Sequence, residues 1–184
     1  MKKHFILGLG LLVLASLSWA ASTAAPSEDI EVTVKEVNTF GYCCLPHRGP
    51  FTEIEAVIQK FMGLMQSQNI MPMGPMLGVY YSDPNEVAAA DLQWEIGFPV
   101  SEQLTPQTPL EMKTWSYTTV ATAIHQGAYE ETGDTYNKMF EWLAANGYEM
   151  AGPVLEKYLT MPTPETKPED LRAEIWVPVK KKQE

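Results

Sequence analysis

The sequence predicts an α+β fold: duplicated strand–helix–strand–strand units with pseudo-twofold symmetry, one antiparallel sheet, both helices on one face and a groove on the other. Three observations carry this reading. The first is an internal repeat. His47-Arg48-Gly49-Pro50-Phe51 returns as His125-Gln126-Gly127-Ala128-Tyr129, Met73-Gly74-Pro75 as Ala151-Gly152-Pro153, and Tyr80 as Tyr158, all at one offset. Asp91-Leu92-Gln93-Trp94-Glu95-Ile96 then returns as Asp170-Leu171-Arg172-Ala173-Glu174-Ile175, one residue later. The second is a helical stripe in each copy, and the third is β alternation on either side of it.

Each element follows in order. Repeat one covers 30–100. It opens with a strand over 31–37 that continues irregularly to 45, rich in β-branched residues. Gly49 marks a turn. Ile54, Val57, Ile58, Phe61, Met62 and Met65 then recur at helical spacing and form one apolar face. Strands are expected over 76–82 and 92–100, separated by the turn formers Ser82-Asp83-Pro84-Asn85. A polar linker with Pro106 and Pro109 occupies 101–110. Repeat two covers 111–180. It has a strand over 115–124, a turn at Gly127, and a helix on which Tyr136, Met139, Phe140 and Leu143 make the stripe. Asn146-Gly147 stops that helix. Glu130, Glu131 and Asp134 sit in its first turns, where the helix dipole favours them. Strands over 154–160 and 171–179 close the unit, and 181–184 is a tail.

Alternation sorts the closing strands into faces. Ala173, Ile175, Val177 and Val179 are uniformly apolar and should meet the helices, which leaves Glu174 and Trp176 facing the groove. In repeat one Trp94, Ile96 and Phe98 take the helix side, and Glu95 takes the groove side with Gly97. Tyr80 and Tyr158 hold equivalent places on the neighbouring strands and join the candidate site, their face open. A carboxylate among aromatic rings attracts a cation, each ring adding roughly 0.5–2 kcal/mol. Burial would also raise its pKa and suit it to general acid–base work. The competing account of both glutamates is a solvated sheet face. His47 and His125 precede the glycine turns in both copies, and a structural hydrogen bond bracing the turn explains them better than chemistry.

Composition narrows the function classes. Against 13 Lys+Arg stand 23 Asp+Glu, a net charge of −10, which repels phosphate backbones and predicts no nucleic-acid partner. Lys2-Lys3-His4, an apolar run from Phe5 to Leu17, and Ser18-Trp19-Ala20 read as a signal peptide over 1–20, cleaved near Ala20. Residues 21–29 would be a flexible mature N-terminus, the location periplasmic or secreted, and stable membrane insertion absent after cleavage. Cys43 and Cys44 are adjacent and too close in a regular strand for an ordinary disulfide, so free, buried thiols are expected. No closely spaced His/Cys/carboxylate set, phosphate loop, dinucleotide fingerprint or Gly-x-Ser-x-Gly elbow occurs, so no metal and no cofactor are expected. The Met-rich stretch from Met71 to Met76 is read as core.

The pattern His-x-Gly-Pro-Phe, helix, Gly-Pro, Leu-Gly-Val-Tyr-Tyr-x-Asp-Pro runs from His47 to Pro84. It repeats as His-Gln-Gly-Ala-Tyr-Glu, helix, Ala-Gly-Pro-Val-Leu-Glu-Lys-Tyr-Leu, and ends Glu-Ile-Trp-Val-Pro-Val. This resembles the GyrI-like small-molecule-binding domains, also called bacterial transcription effector-binding domains, as in AraC-type regulators. The resemblance implies a central ligand groove for lipophilic, often cationic, compounds. It also implies that the family's groove glutamate matches Glu174 and its groove aromatics Trp176 and Tyr158. Some relatives in that family bind toxins or inhibit gyrase, and a subgroup hydrolyses cyclopropane-bearing natural products. The chain departs from the pattern in its export signal, in having no DNA-binding helical domain before the repeat, and in Ala128 where Pro is usual.

The leading expectation is therefore a stand-alone, exported binder of a small hydrophobic or cationic aromatic molecule in the groove, through Glu174, Trp176, Glu95, Tyr158 and Tyr80. The alternative is a hydrolase using Glu174 as general acid/base. A third is an envelope protein whose groove takes a peptide or protein partner.

Overall fold

The computed structural model describes residues 30–163 and 165–183. The expected signal segment and the residues up to 29 lie outside them. The first unit contains β1 (Thr33–Glu36), β2 (Phe40–Arg48), α1 (Ile54–Ser67), β3 (Met76–Tyr80) and β4 (Gln93–Pro99). The second contains β5 (Glu111–Trp115), β6 (Thr119–Gln126), α2 (Thr132–Ala145), β7 (Tyr148–Met150), β8 (Val154–Tyr158) and β9 (Arg172–Lys181). All pairings are antiparallel, in the order β1-β6-β9-β8-β3-β4-β2-β5, with β7 added along the end of β9. The units meet at β3 and β8, where Met76 opposes Tyr158 and Tyr80 opposes Val154. The pseudo-twofold axis passes through that pairing.

The turns into the helices are built as their residues dictate. Gly49 has φ 152°, and a Cβ there would come within 2.9 Å of His47 Nε2 and 3.0 Å of Glu53 Oε2. His47 Nε2 lies 2.7 Å from Glu53 Oε2 across this turn. In the second unit His125 Nε2 donates to the Ala128 carbonyl at 3.0 Å, and Nδ1 meets the Thr135 hydroxyl at 2.9 Å. Both histidines thus brace a strand-to-helix turn. At the end of α2, Gly147 has φ 71° and Asn146 Nδ2 donates to the Trp142 carbonyl at 2.8 Å.

Both helices cover the same face. From α1, Val57, Phe61 and Met65 pack on Trp94, Ile96 and Phe98. From α2, Met139 and Leu143 pack on Ala121, Ala123, Ile175 and Val177. The stripes are narrower than the sequence suggests, since Met62 and Phe140 remain exposed. Of the Met-rich stretch only Met76 enters the core; Met71 and Met73 are exposed.

The first strand of each unit differs most from expectation. The run 31–45 is broken at 37–39, and its two halves serve different units. β1 pairs with β6 of the second unit and β2 with β4 of the first, while β5 reciprocally pairs with β2. This exchange fixes the sheet's curvature. The four steps from Glu36 to Phe40 reach at most about 14 Å. Five strands lie between β1 and β2, which in a flat sheet would hold them roughly 29 Å apart. The sheet must therefore curl until the two connections meet, and they do: Val37 N–H donates to the Thr118 carbonyl at 2.7 Å.

Candidate groove site

The face away from the helices lies inside this curl. Register places Val79, Leu155, Trp176 and Thr122 in one row across β3, β8, β9 and β6. Leu77, Lys157 and Glu174 form the next row. Glu95 lies on the same face, opposite Val79. The groove is largely filled by its own side chains: Tyr42, Cys44, Leu77, Val79, Trp115, Val120, Leu155 and Trp176 form one buried cluster, with Phe40 and Tyr117 against it. A concavity of about 330 Å³ remains, lined by Tyr42, Val79, Tyr81, Lys113, Trp115, Tyr117 and Pro153 among others. Trp115 is 2% exposed, and its Nε1 has no hydrogen-bond partner among the described residues.

The two groove glutamates have related but unequal surroundings. Glu95 is 1% exposed. Its Oε1 accepts from Tyr42 at 2.7 Å and Tyr81 at 2.9 Å, and its Oε2 accepts from Lys113 at 2.5 Å. Glu174 keeps 19% side-chain exposure; its Oε1 accepts from Lys35 at 2.6 Å and its Oε2 lies 3.8 Å from Lys157 Nζ. Lys35 and Lys113 are repeat-equivalent, each standing 78 residues from the other as Tyr80 does from Tyr158. Each sits on an exchanged strand and neutralises the other unit's glutamate. The recurrence of these lysines is a signal in the sequence; the carboxylate each one meets is not.

Charge states follow from these contacts. Burial alone would raise the Glu174 carboxyl, but the Lys35 hydrogen bond and the Lys157 charge outweigh it and hold the group below the usual carboxylate range. Lys157 is pushed down to about 8, chiefly by burial, with Glu174 opposing and Lys35 adding to the shift. Its Nζ lies 3.2 Å from the Trp176 ring centroid. Desolvation would lower Lys113, but its hydrogen bond and charge contact with Glu95 outweigh that and raise it. Cys43 and Cys44 are free, fully buried thiols, and burial pushes Cys43 up to about 11.

Tyr80 and Tyr158 are not in the groove. Tyr80 opposes Trp94, and Tyr158 opposes Ala173, both on the helix-covered face. Strand parity decides this: each lies one residue out of phase with its groove-lining neighbours, Val79 and Lys157. Their hydroxyls meet at 2.5 Å on the pseudo-twofold axis. Gly78 opposes Glu156 there, and a Cβ at Gly78 would come within 2.8 Å of the Tyr80 hydroxyl and 2.9 Å of that of Tyr158. Gly78→Ala is expected to part the two hydroxyls and cost about 1–3 kcal/mol, read from urea unfolding midpoints. An unchanged midpoint would show that the pair has room to move.

Glu156, which the sequence pattern does not single out, is a buried carboxylate in this cluster and accepts from Tyr136 at 2.6 Å. Burial raises its pKa, and its tyrosine hydrogen bonds only partly offset that. A folded pKa above the unfolded value gives stability present at low pH and lost as pH rises through the folded value. Glu156→Gln should therefore gain stability relative to the parent as pH increases. Unfolding midpoints at pH 5 and pH 8 measure this, and a pH-independent offset between the two proteins would contradict it.

Among the described residues, no group of three or more His, Cys, Asp or Glu could hold a metal ion, and no helix is long and apolar enough to cross a membrane.

A family model described as the GyrI-like small molecule binding domain matches residues 30–180. Among curated proteins no relative matches by sequence. Many solved structures share the fold, among them the following three. An EcmrR–DNA complex seen by cryo-EM matches at 17% identity and TM-score 0.73, over 84% of this chain and 59% of that one. The present chain thus spans less than two thirds of the EcmrR chain. A hydrolase from Listeria innocua matches at 13% identity and TM-score 0.59, over 82% of this chain and 92% of that one. SAV2435 bound to tetraphenylphosphonium matches at 13% identity and TM-score 0.55, over 82% and 94%.

Two expectations are corrected by the first of these. The exclusion of a nucleic-acid partner falls, because this fold occurs in a DNA-bound protein. Net charge averages over a chain and does not bar its fold from such an assembly. The periplasmic or secreted location falls with it, since the matched EcmrR chain is found on DNA.

Proposed function

Since the chain belongs to the GyrI-like small-molecule-binding domain family, we propose that it binds a small lipophilic aromatic molecule inside the curl of its sheet. The observation that carries this is the aromatic lining of an otherwise apolar interior: Trp115, Trp176, Tyr42, Tyr117 and Phe40 converge where the two units join. Such interiors, with few polar groups, are where small ligands sit. Glu174, Trp176 and Glu95 would border the ligand. The concavity beside Tyr117 and Pro153 would be its entrance.

The neutral probe N-phenyl-1-naphthylamine tests this. It should bind at one site with a rise in its fluorescence. Ser116→Trp, at an exposed residue lining the concavity, should weaken binding at least about tenfold, a loss of about 1.4 kcal/mol. Equal binding by both proteins, or no binding, would sink the proposal.

The hydrolase reading has less support. Lys35 and Lys157 hold Glu174 ionised, which makes it a poor general acid, and Glu95 is sealed by three partners.

A further inference from the structure

We propose that the molecule selected by this groove carries an anionic acceptor group, of the aromatic carboxylate class, held by Lys157 beside the Trp176 ring. This rests on the small-molecule reading above and specifies its ligand. At the Glu174 end of the groove two cations face one carboxylate. Lys35 takes that carboxylate with a 2.6 Å hydrogen bond, leaving Lys157 at 3.8 Å, beyond hydrogen-bond distance. Lys157 is therefore the second, more distant cation on one carboxylate, four-fifths buried, with the faces of Trp176 and Phe40 at 3.2 and 6.0 Å.

Burial of an ammonium without a matched anion is costly, and an incoming carboxylate would relieve that cost. The downward shift of Lys157 to about 8 is the same cost seen as a titration. The other end of the groove has no such surplus: Lys113 faces both Glu95 and Glu111. Val79 stands there in the repeat position that Lys157 holds in the second unit. The excess is thus particular to one half. Trp115 adds a buried indole N–H with no acceptor among the described residues, which also favours a ligand bearing acceptor atoms. A cation entering the Glu174 end would find its carboxylate already taken and would meet two ammonium groups.

Three probes of one shape test the inference: naphthalene-2-carboxylate, 2-naphthylmethanol and 2-naphthylmethylammonium, titrated by calorimetry at pH 7. The carboxylate should bind at least about tenfold more tightly than the ammonium, with the alcohol between them. Lys157→Met keeps the apolar stem and should erase the order; Lys157→Arg should keep it. The groups facing Lys157 are Glu174 on β9 and Lys35 on β1, with the rings of Trp176 and Phe40. As Glu174 stays charged, carboxylate affinity should fall as pH rises through about 8, and alcohol affinity should not. The arginine variant should lose that fall. Tightest binding by the ammonium, or a carboxylate preference that survives Lys157→Met, would overturn the anion inference alone. Binding by none of the three would overturn it together with the small-molecule reading.

Discussion

Lys113→Met should destabilise the protein by about 3 kcal/mol. Removing one partner of a buried ion pair strands the other, which typically costs about 3–5 kcal/mol. The lower end applies because Lys113 keeps 32% side-chain exposure while Glu95 keeps 1%. Two tyrosine hydroxyls would remain on Glu95, but both are on Oε1, so Oε2 would lose the ammonium that now satisfies it. Adding Glu95→Gln should restore most of the loss, because an amide keeps the tyrosine contacts and carries no charge to strand. Urea unfolding of the two single variants and the double variant forms a cycle that isolates the coupling. A single-variant loss below about 1 kcal/mol, or no recovery in the double variant, would mean that water reaches Glu95 and screens it.

Trp94→Ala should cost about 3–5 kcal/mol, the range for deleting a buried aromatic side chain. Trp94 is fully enclosed on the helix face, its ring 4.7 Å from His47 and 6.2 Å from Phe51, and its Nε1 donates to the Gly49 carbonyl at 2.9 Å. It thereby ties β4 to the turn that launches α1. Trp94→Phe should lose less, about 1–2 kcal/mol, because packing is partly kept and one hydrogen bond is lost. The second unit carries Ala173 at this position, where Tyr158 and Tyr129, with ring centroids 5.0 Å apart, occupy the neighbouring space. Thermal or urea unfolding ranks the variants. If alanine costs no more than phenylalanine, the tryptophan's volume is not what holds the turn.

Much of this architecture is local in origin and is therefore legible in the chain itself. The duplication, the two helices and the glycine turns are written in residue types at short spacing. The groove face of Glu174 and Trp176 follows from the uniformly apolar Ala173, Ile175, Val177 and Val179 on the same strand, because a period of two needs no knowledge of neighbours. The faces of Tyr80 and Tyr158 are not legible in this way, since both strands carry buried apolar residues on both sides: Leu77 and Val79 are as buried as Met76, and Leu155 is as enclosed as Val154. β3 has no charged residue to mark the open side, and β8 has one on each side, Glu156 under the helices and Lys157 in the groove, so alternation carries no information there. The filled interior is hidden too, because the residues that fill it come from strands and connections far apart in sequence.

The sequence by itself determined the two units, their helices and the faces of the last strand in each unit, since periodicity within ten or so residues sets which side chains share a surface. The tertiary structure alone decided what the groove is electrically. Lys35 reaches Glu174 across 139 residues, Lys113 reaches Glu95 from the other unit, and Lys157 stands second to Lys35 on Glu174, at 3.8 Å. Those encounters depend on the exchange of first strands and on the curl it imposes. A charge's meaning depends on what lies within a few ångströms, and spacing along the chain does not encode that distance.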